Sequence, residues 1–350
     1  MDEFQAGTAF LSGLTEGPVA VIMDGDADGL SGGRLVCLTL EARRIEAAPV
    51  FPGKGQHAYS PEVQQTVRGL AAKAVVIVDS GASGENPYRP RPVLVLDHHQ
   101  PLGIPPEATF VSSYRHQPPE TSSVIAFRVC RPLADLSKVA WLAVLGAFGD
   151  LGGADDFPDL AEVAKGLTKS SLKKTVSLIN AARRSSRCDV AAAYEALASA
   201  SDPRDVAGLK TPAARKLERY RREVKTALDL AAGQPPEFGK EIALVRCHTP
   251  CLVHGVLASR WAHRLKPYPA LVVNTGYFPE EAVFSFRSAG DVDLIGLLRE
   301  RLGPDEHLGG TIGYGHRAAT GGRFPLSRLP EFLAKMGLAP ARRDDRDTVG

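Results

Sequence analysis

Three apolar runs limit what this chain can fold into. Val19-Ala20-Val21-Ile22-Met23 runs into Asp24, Val75-Val76-Ile77-Val78 into Asp79, and Val93-Leu94-Val95-Leu96 into Asp97-His98-His99. Unbroken runs of this length suit strands covered on both faces, the pattern of a parallel sheet flanked by helices. Helical stretches lie between them, Gly29 to Ala42 and Pro61 to Leu70, the second with proline in its first turn. Ala47 to Phe51 reads as a further short strand. The alternation predicts an α/β domain. Ligands of such sheets sit beyond the carboxyl ends of the strands. Asp24, Asp26, Asp28, Asp79, Asp97, His98 and His99 all fall there.

From Thr121 the chain turns helical, over Thr121 to Cys130, Ser137 to Phe148 (followed by Gly149-Asp150), Ala161 to Ala200 and Pro212 to Ala232. Gly233-Gln234-Pro235-Pro236 is a break. A smaller α/β unit follows, with strands at Ile242 to Cys247, Ala270 to Asn274 and Ala282 to Phe286. Its helices are Gly255 to Leu265 and Val292 to Leu302, leading to a Gly-rich stretch from Gly309. The predicted organisation is a parallel-sheet α/β domain over 1–200, a helical linker over 201–236, a smaller α/β domain over 237–340 and a disordered tail over 341–350.

Hydrophobic content of 44% and charge of 23% are those of a globular domain, and a net charge of +2 does not demand a polyanionic partner. No apolar run approaches the roughly 20 residues needed to span a bilayer. The start, Met1-Asp2-Glu3-Phe4, lacks the form of a signal peptide, and five scattered cysteines argue against a disulfide framework. A reducing, cytoplasmic setting with no membrane partner is expected.

Asp24-Gly25-Asp26-Ala27-Asp28-Gly29 carries most of the chemistry. An unpaired buried charge costs several kcal/mol (order of magnitude), and no local Lys or Arg supplies a partner. A helix cap explains one carboxylate, with Asp28 the candidate, but not three. A divalent cation explains all of them. Oxygen-rich sites with imidazole suit Mn²⁺ or Mg²⁺, and the nitrogen favours Mn²⁺. Two such ions about 3.5–4 Å apart activate water and polarise a phosphoryl oxygen. Without a strong Ser or Cys nucleophile motif, phosphoester hydrolysis by metal-activated water is the natural use.

The set Asp24-x-Asp26-x-Asp28-Gly29, Asp79, Asp97-His98-His99 and Gly149-Asp150, in that order, resembles the DHH phosphoesterase superfamily. Its members include RecJ-type exonucleases, nanoRNases, cyclic-dinucleotide phosphodiesterases and polyphosphatases. Gly313-Tyr314-Gly315-His316-Arg317-Ala318-Ala319-Thr320-Gly321 is similar to the Gly-Gly-Gly-His-x-x-Ala-Ala-Gly signature of the associated DHHA1 domain. Ser285-Phe286-Arg287-Ser288 is similar to that domain's Ser-x-Arg-Ser strand. The resemblance spans residues 18–325 as ordered landmarks. It implies that Asp26 and Asp79 hold a first metal with Asp24 nearby, and that Asp28, Asp79, His98 and Asp150 hold a second. Asp79 would bridge, Asp97 would orient an imidazole, and His99 would contact the scissile phosphate. Ser285, Arg287, Gly313, Tyr314, Gly315 and His316 would bind the rest of the substrate, in a cleft between the domains. The catalytic set is then Asp26, Asp28, Asp79, His98, His99 and Asp150. Three positions depart from the pattern. Ile22 stands where many small members have His, which moves the first motif towards the RecJ branch; Tyr314 replaces a usual Gly, and Thr320 a usual Ala.

Plainer readings stand beside these. Asp79-Ser80-Gly81 is also a strand-ending turn, Gly309 to Gly322 a plain loop, and Arg287 a partner for Asp291. Cys247-His248-x-x-Cys251-x-x-His254 lacks standard zinc spacing. The basic stretch from Lys210 to Lys225, interspersed with Glu218 and Glu223, reads as a solvated helix face. The expected function is Mn²⁺-dependent hydrolysis of short single-stranded RNA or DNA to mononucleotides by two ions, with Mg²⁺ the alternative metal and a homodimer compatible. The alternatives are a RecJ-like single-stranded DNA exonuclease, a cyclic-dinucleotide or 3′-phosphoadenosine-5′-phosphate phosphoesterase, and a degenerate nucleotide-binding or replication-partner protein.

Overall fold

The computed structural model describes residues 3–303 and 308–338. The first part of the chain runs α1 (Glu3–Gly13), β1 (Val19–Met23), α2 (Ala27–Ala42), β2 (Ala47–Val50), α3 (Pro61–Gly69), β3 (Ala74–Val78), β4 (Val93–Asp97) and β5 (Ala108–Ser112). Helices follow: α4 (Ser122–Cys130), α5 (Trp141–Leu151), α6 (Ala161–Lys165), α7 (Lys169–Arg184), α8 (Val190–Ala198), α9 (Pro203–Ala207) and α10 (Pro212–Ala232). The five strands pair in parallel, in the order β2-β1-β3-β4-β5.

The apolar runs alternate between two cores. Val19, Val21, Met23, Val76, Val78, Leu94 and Leu96 join α2, α4, α5 and α7 on one face. Ala20, Ile22, Val75, Ile77, Val93 and Val95 pack with Val63 and Val67 of α3 on the other. A side-chain period of two, with both faces covered, is why the strands read as continuous apolar runs. α1 and β5 were not predicted. α1 carries polar residues and glycines, and β5 is only half-buried over Ala108–Phe110.

The second part runs β6 (Glu237–Phe238), β7 (Ala243–Cys247), α11 (His254–Arg264), β8 (Ala270–Asn274), β9 (Glu281–Arg287), α12 (Leu294–Leu302), β10 (Thr311–His316), β11 (Ala319–Pro325) and α13 (Leu329–Lys335). Its sheet has the order β10-β11-β9-β8-β7-β6. Only β7 and β8 pair in parallel, across α11; the other pairings are antiparallel. Phe284, Phe324 and Phe332 form the aromatic centre of its core.

The Gly-rich stretch is a hairpin, not a loop. A Cβ on Gly310 would lie 2.0 Å from the Arg323 carbonyl oxygen, and one on Gly322 would lie 2.4 Å from that of Thr311. Close approach of neighbouring strands therefore accounts for these glycines. The described residues form two compact units, the first ending at Arg221 and the second comprising Arg184–Ser186 and the residues from Arg222. The division falls inside α10. The predicted tail over 341–350 lies outside the described residues. No described helix is long and apolar enough to cross a membrane.

Candidate metal centre

The strand order of the first sheet reverses between β1 and β3, and a crevice opens at the carboxyl ends of strands at such a switch point. The backbone ladder runs one residue past each strand: Asp24 N–H donates to the Val78 carbonyl (3.2 Å), and Asp79 N–H to that of Leu96 (3.0 Å). The acids are thereby delivered to one edge. Asp79 has φ of +61°, a left-handed conformation that Asp tolerates better than most residues. The turn and the ligand readings of this residue thus coexist.

Each carboxylate has a distinct setting. Asp26, not Asp28, caps α2: its Oδ1 accepts from the N–H groups of Asp28 (3.1 Å) and Gly29 (3.2 Å). Asp28 is fully buried on the N-terminus of α4, where Oδ2 accepts from Ser122 N–H (2.7 Å) and Oδ1 from Ser123 N–H (3.1 Å). Helix N-termini favour such an anion. Ser122 Oγ donates to Asp79 Oδ1 at 2.8 Å. Gly146 of α5 backs this arrangement, since a Cβ there would lie 2.1 Å from Ser123 Oγ and 2.4 Å from Asp28 Oδ1. Asp97 is fully buried, accepts from Gly81 N–H (2.6 Å) and His99 N–H (2.6 Å), and meets His99 Nδ1 at 3.1 Å. It therefore orients His99 rather than His98.

A distant cation also enters the site. Arg183, in the last turn of α7, forks onto two carboxylates, with Nη1 on Asp24 Oδ2 and Nη2 on Asp26 Oδ2 (3.1 Å). Asn180, one turn earlier, accepts the N–H of Ala27 at 2.9 Å and fixes α7 against the start of α2. The first motif is thus partly neutralised from within, by a residue 157 positions beyond Asp26. No local spacing signals Arg183, Asn180, Ser122 or Ser123.

Possible ligand atoms converge in three groups, each within 4.8 Å: Asp24 with Asp26 and Asp79, Asp28 with His98 and Asp150, and Asp79 with His98 and His99. Asp79 belongs to two of them. Nε2 of His98 is buried and makes no hydrogen bond, although Asp79 Oδ1 lies 3.3 Å away and Asp150 Oδ2 3.4 Å away. Ligands at right angles around one Mg²⁺-sized ion stand about 3 Å apart. An orphaned imidazole nitrogen among carboxylates, in an oxygen-rich set, fits hard divalent ions.

The protonation balance agrees. Burial, reinforced by Asp28, Asp26 and Asp24, raises Asp79 well above the usual carboxylate range. Burial raises Asp28, with Ser123 opposing it. Burial lifts Asp150 to about 7, with Asp28 and Asp26 adding. Burial lifts Asp24 to about 6, with Arg183 pulling it back. Burial lowers His98, keeping its lone pair free, while the Asp97 hydrogen bond raises His99. These acids resist ionising together until a cation joins them.

In the second unit, Ser285 and Arg287 lie on β9. Ser285 Oγ is buried without a partner, and Arg287 donates to the carbonyls of Thr320 (2.9 Å) and Phe286 (3.2 Å). Asp291 faces Arg317 instead, at 3.7 Å. His254, at the start of α11, has a buried, unpartnered Nδ1; burial and then Arg287 push it down to about 4. Gly313 sits at a bulge in β10 with φ of +86°. The backbone of Tyr314, Gly315 and His316 is strand; their side chains and surroundings lie outside the described residues. Cys247, His248, Cys251 and His254 form no ligand group among the described residues. In the basic stretch, Lys216 pairs with Asp189, Arg221 with Glu218 and Lys225 with Asp229.

No family model and no curated protein matches the sequence. Solved structures do. RecJ of Thermus thermophilus in complex with Mn²⁺ superposes with a TM-score of 0.72 at 20% identity, over 96% of this chain and 54% of that one. The chain thus spans about half the length of that protein. An exonuclease RecJ bound to manganese gives 0.70 at 20% identity, over 96% and 94%. The DHH domain of a member of a ribosomal-protein family gives 0.64 at 19%, over 97% and 90%. The chain has the fold of these RecJ and DHH-domain structures, as the ordered landmarks implied.

Proposed function

We propose that this chain is a divalent-metal-dependent phosphodiesterase that hydrolyses short single-stranded oligonucleotides one nucleotide at a time, with Mn²⁺ as its ion. The observation that carries the reading is that Asp79 groups with Asp24 and Asp26 and again with His98 and His99, while His98 Nε2, which also groups with Asp28 and Asp150, stands buried and unbonded. Asp24, Asp26 and Asp79 would hold one ion, and Asp28, Asp79, His98 and Asp150 the other. Bound there, a pair of ions supplies an activated water and neutralises charge developing on a phosphoryl group.

The chain's own residues do the rest. The α4 amides and Ser122 fix the Asp28 and Asp79 carboxylates before any ion arrives. Asp97 holds the His99 ring at Nδ1 and favours its charged form, suited to a phosphate oxygen. Arg287, with Ser285 beside it, would grip a second phosphate by charge-assisted hydrogen bonds. Similarity to two RecJ structures, one of them an exonuclease, favours single-stranded DNA exonuclease activity as the second reading.

A substrate panel separates them. With Mn²⁺ and purified protein, a dinucleotide, a long single-stranded DNA, a cyclic dinucleotide and 3′-phosphoadenosine-5′-phosphate are assayed together. Fastest turnover of the dinucleotide supports the first reading, and of the long strand the second. Turnover of none, with metal bound, leaves a nucleotide-binding protein.

A further inference from the structure

The two halves of the centre differ in one respect. Both oxygens of Asp26 are engaged, Oδ1 by the α2 amides and Oδ2 by Arg183, and Asp24 Oδ2 is held by the same guanidinium. In the other half, the described residues place no cation in contact with Asp28 or Asp150. We propose that Arg183 is an internal counter-ion of the Asp24–Asp26–Asp79 half. The centre would then fill in order: the Asp28–His98–Asp150 half takes its ion first, and the other half fills only by releasing Arg183.

Three observations support this. Arg183 lies in the last turn of α7, where the helix dipole favours a cation, and Asn180 anchors that helix to α2, so the guanidinium is placed before any ion binds. Its grip is one-sided: Nε is buried and makes no hydrogen bond, so release gives up only the two carboxylate contacts. An ion approaching Asp26 meets a guanidinium on Oδ2, whereas Asp28 is held only by neutral amides and His98 Nε2 has no hydrogen-bond partner. The inference rests on the two-ion reading above.

The test counts ions rather than turnover. Metal-free protein is titrated with Mn²⁺, free ion is read by electron paramagnetic resonance, and wild type is compared with Arg183→Gln and Arg183→Lys. Two classes of ion are expected in wild type, separated by about tenfold or more, the scale of lost charge-assisted hydrogen bonds. Arg183→Gln should tighten the weaker class by about tenfold and the tighter class by less than about threefold, because only one half loses a direct competitor. Arg183→Lys, which keeps charge but not the fork, should fall between, and it carries the test if the Gln variant does not fold. Equal affinities in wild type, or an unchanged weaker class in both variants, would overturn the inference while leaving the centre standing. Failure of wild type to bind Mn²⁺ at all would overturn both.

Discussion

In the first unit all five strands run the same way, so the residues that follow β1, β3 and β4 emerge at a single edge. In the second, direction alternates through most of the sheet, and the polar residues of interest are spread over β9 and β10, with His254 on a helix before them. A parallel sheet gathers ligands from distant stretches of sequence; an antiparallel one spreads its strand ends over two edges. The first arrangement suits a polynuclear cation site. The second suits a few fixed contacts along an extended ligand.

The largest effect is expected at Asp79. Asp79→Ala should lower Mn²⁺-dependent turnover by at least about a thousandfold, because it removes the proposed bridge, the carboxylate that groups with Asp24 and Asp26 and also with His98. Retained activity would remove the bridge from the account. Arg287→Ala acts on the other unit and should raise KM about tenfold with kcat nearly unchanged, the size of a charged hydrogen bond lost from binding. A kcat loss of similar size would place Arg287 in the chemistry instead.

Two glycines sharpen the contrast further. Gly146→Ala should cost about 1–3 kcal/mol through overpacking and should also weaken Mn²⁺ binding, because the new methyl group meets Asp28. Gly322→Ala should destabilise by a similar amount, about 1–3 kcal/mol, through the hairpin, yet leave Mn²⁺ affinity at the wild-type value. Denaturant melts and Mn²⁺ titrations of both variants check this, and equal metal binding by Gly146→Ala would count against a preset centre.

The smallest effect is that of pH. Asp150, lifted from 3.8 to about 7, binds more protons in the folded than in the unfolded chain between those values. Stability of the metal-free protein therefore falls as pH rises through that window, the reverse of ordinary acid denaturation. The melting temperature should drop by roughly a few degrees between about pH 5.5 and 8. Saturating Mn²⁺ should abolish the drop.

Much of this was legible in the sequence, for identifiable reasons. β1 and β3 begin and end where their apolar runs do, and β8 runs one residue further, to Asn274, since strands buried on both faces leave no ambiguity of face. The acids were legible because charge at the end of such a run demands a partner. Glycine was harder to read, since it signals either a free backbone or a close neighbour, and Gly310 and Gly322 proved to be the latter. The α2 cap is Asp26 where the sequence suggested Asp28, because both are acids two residues apart. Arg183 was invisible: an arginine in the last turn of a helix is ordinary, and only the packing of α7 against α2 gives it a role.

The most direct test of the whole account is anomalous diffraction from a crystal grown with Mn²⁺. Two manganese peaks about 3.5–4 Å apart, with Asp79 between them and His98 Nε2 on one, are predicted. No peak at the carboxyl ends of β1, β3 and β4, or a peak bound by other residues, would contradict it.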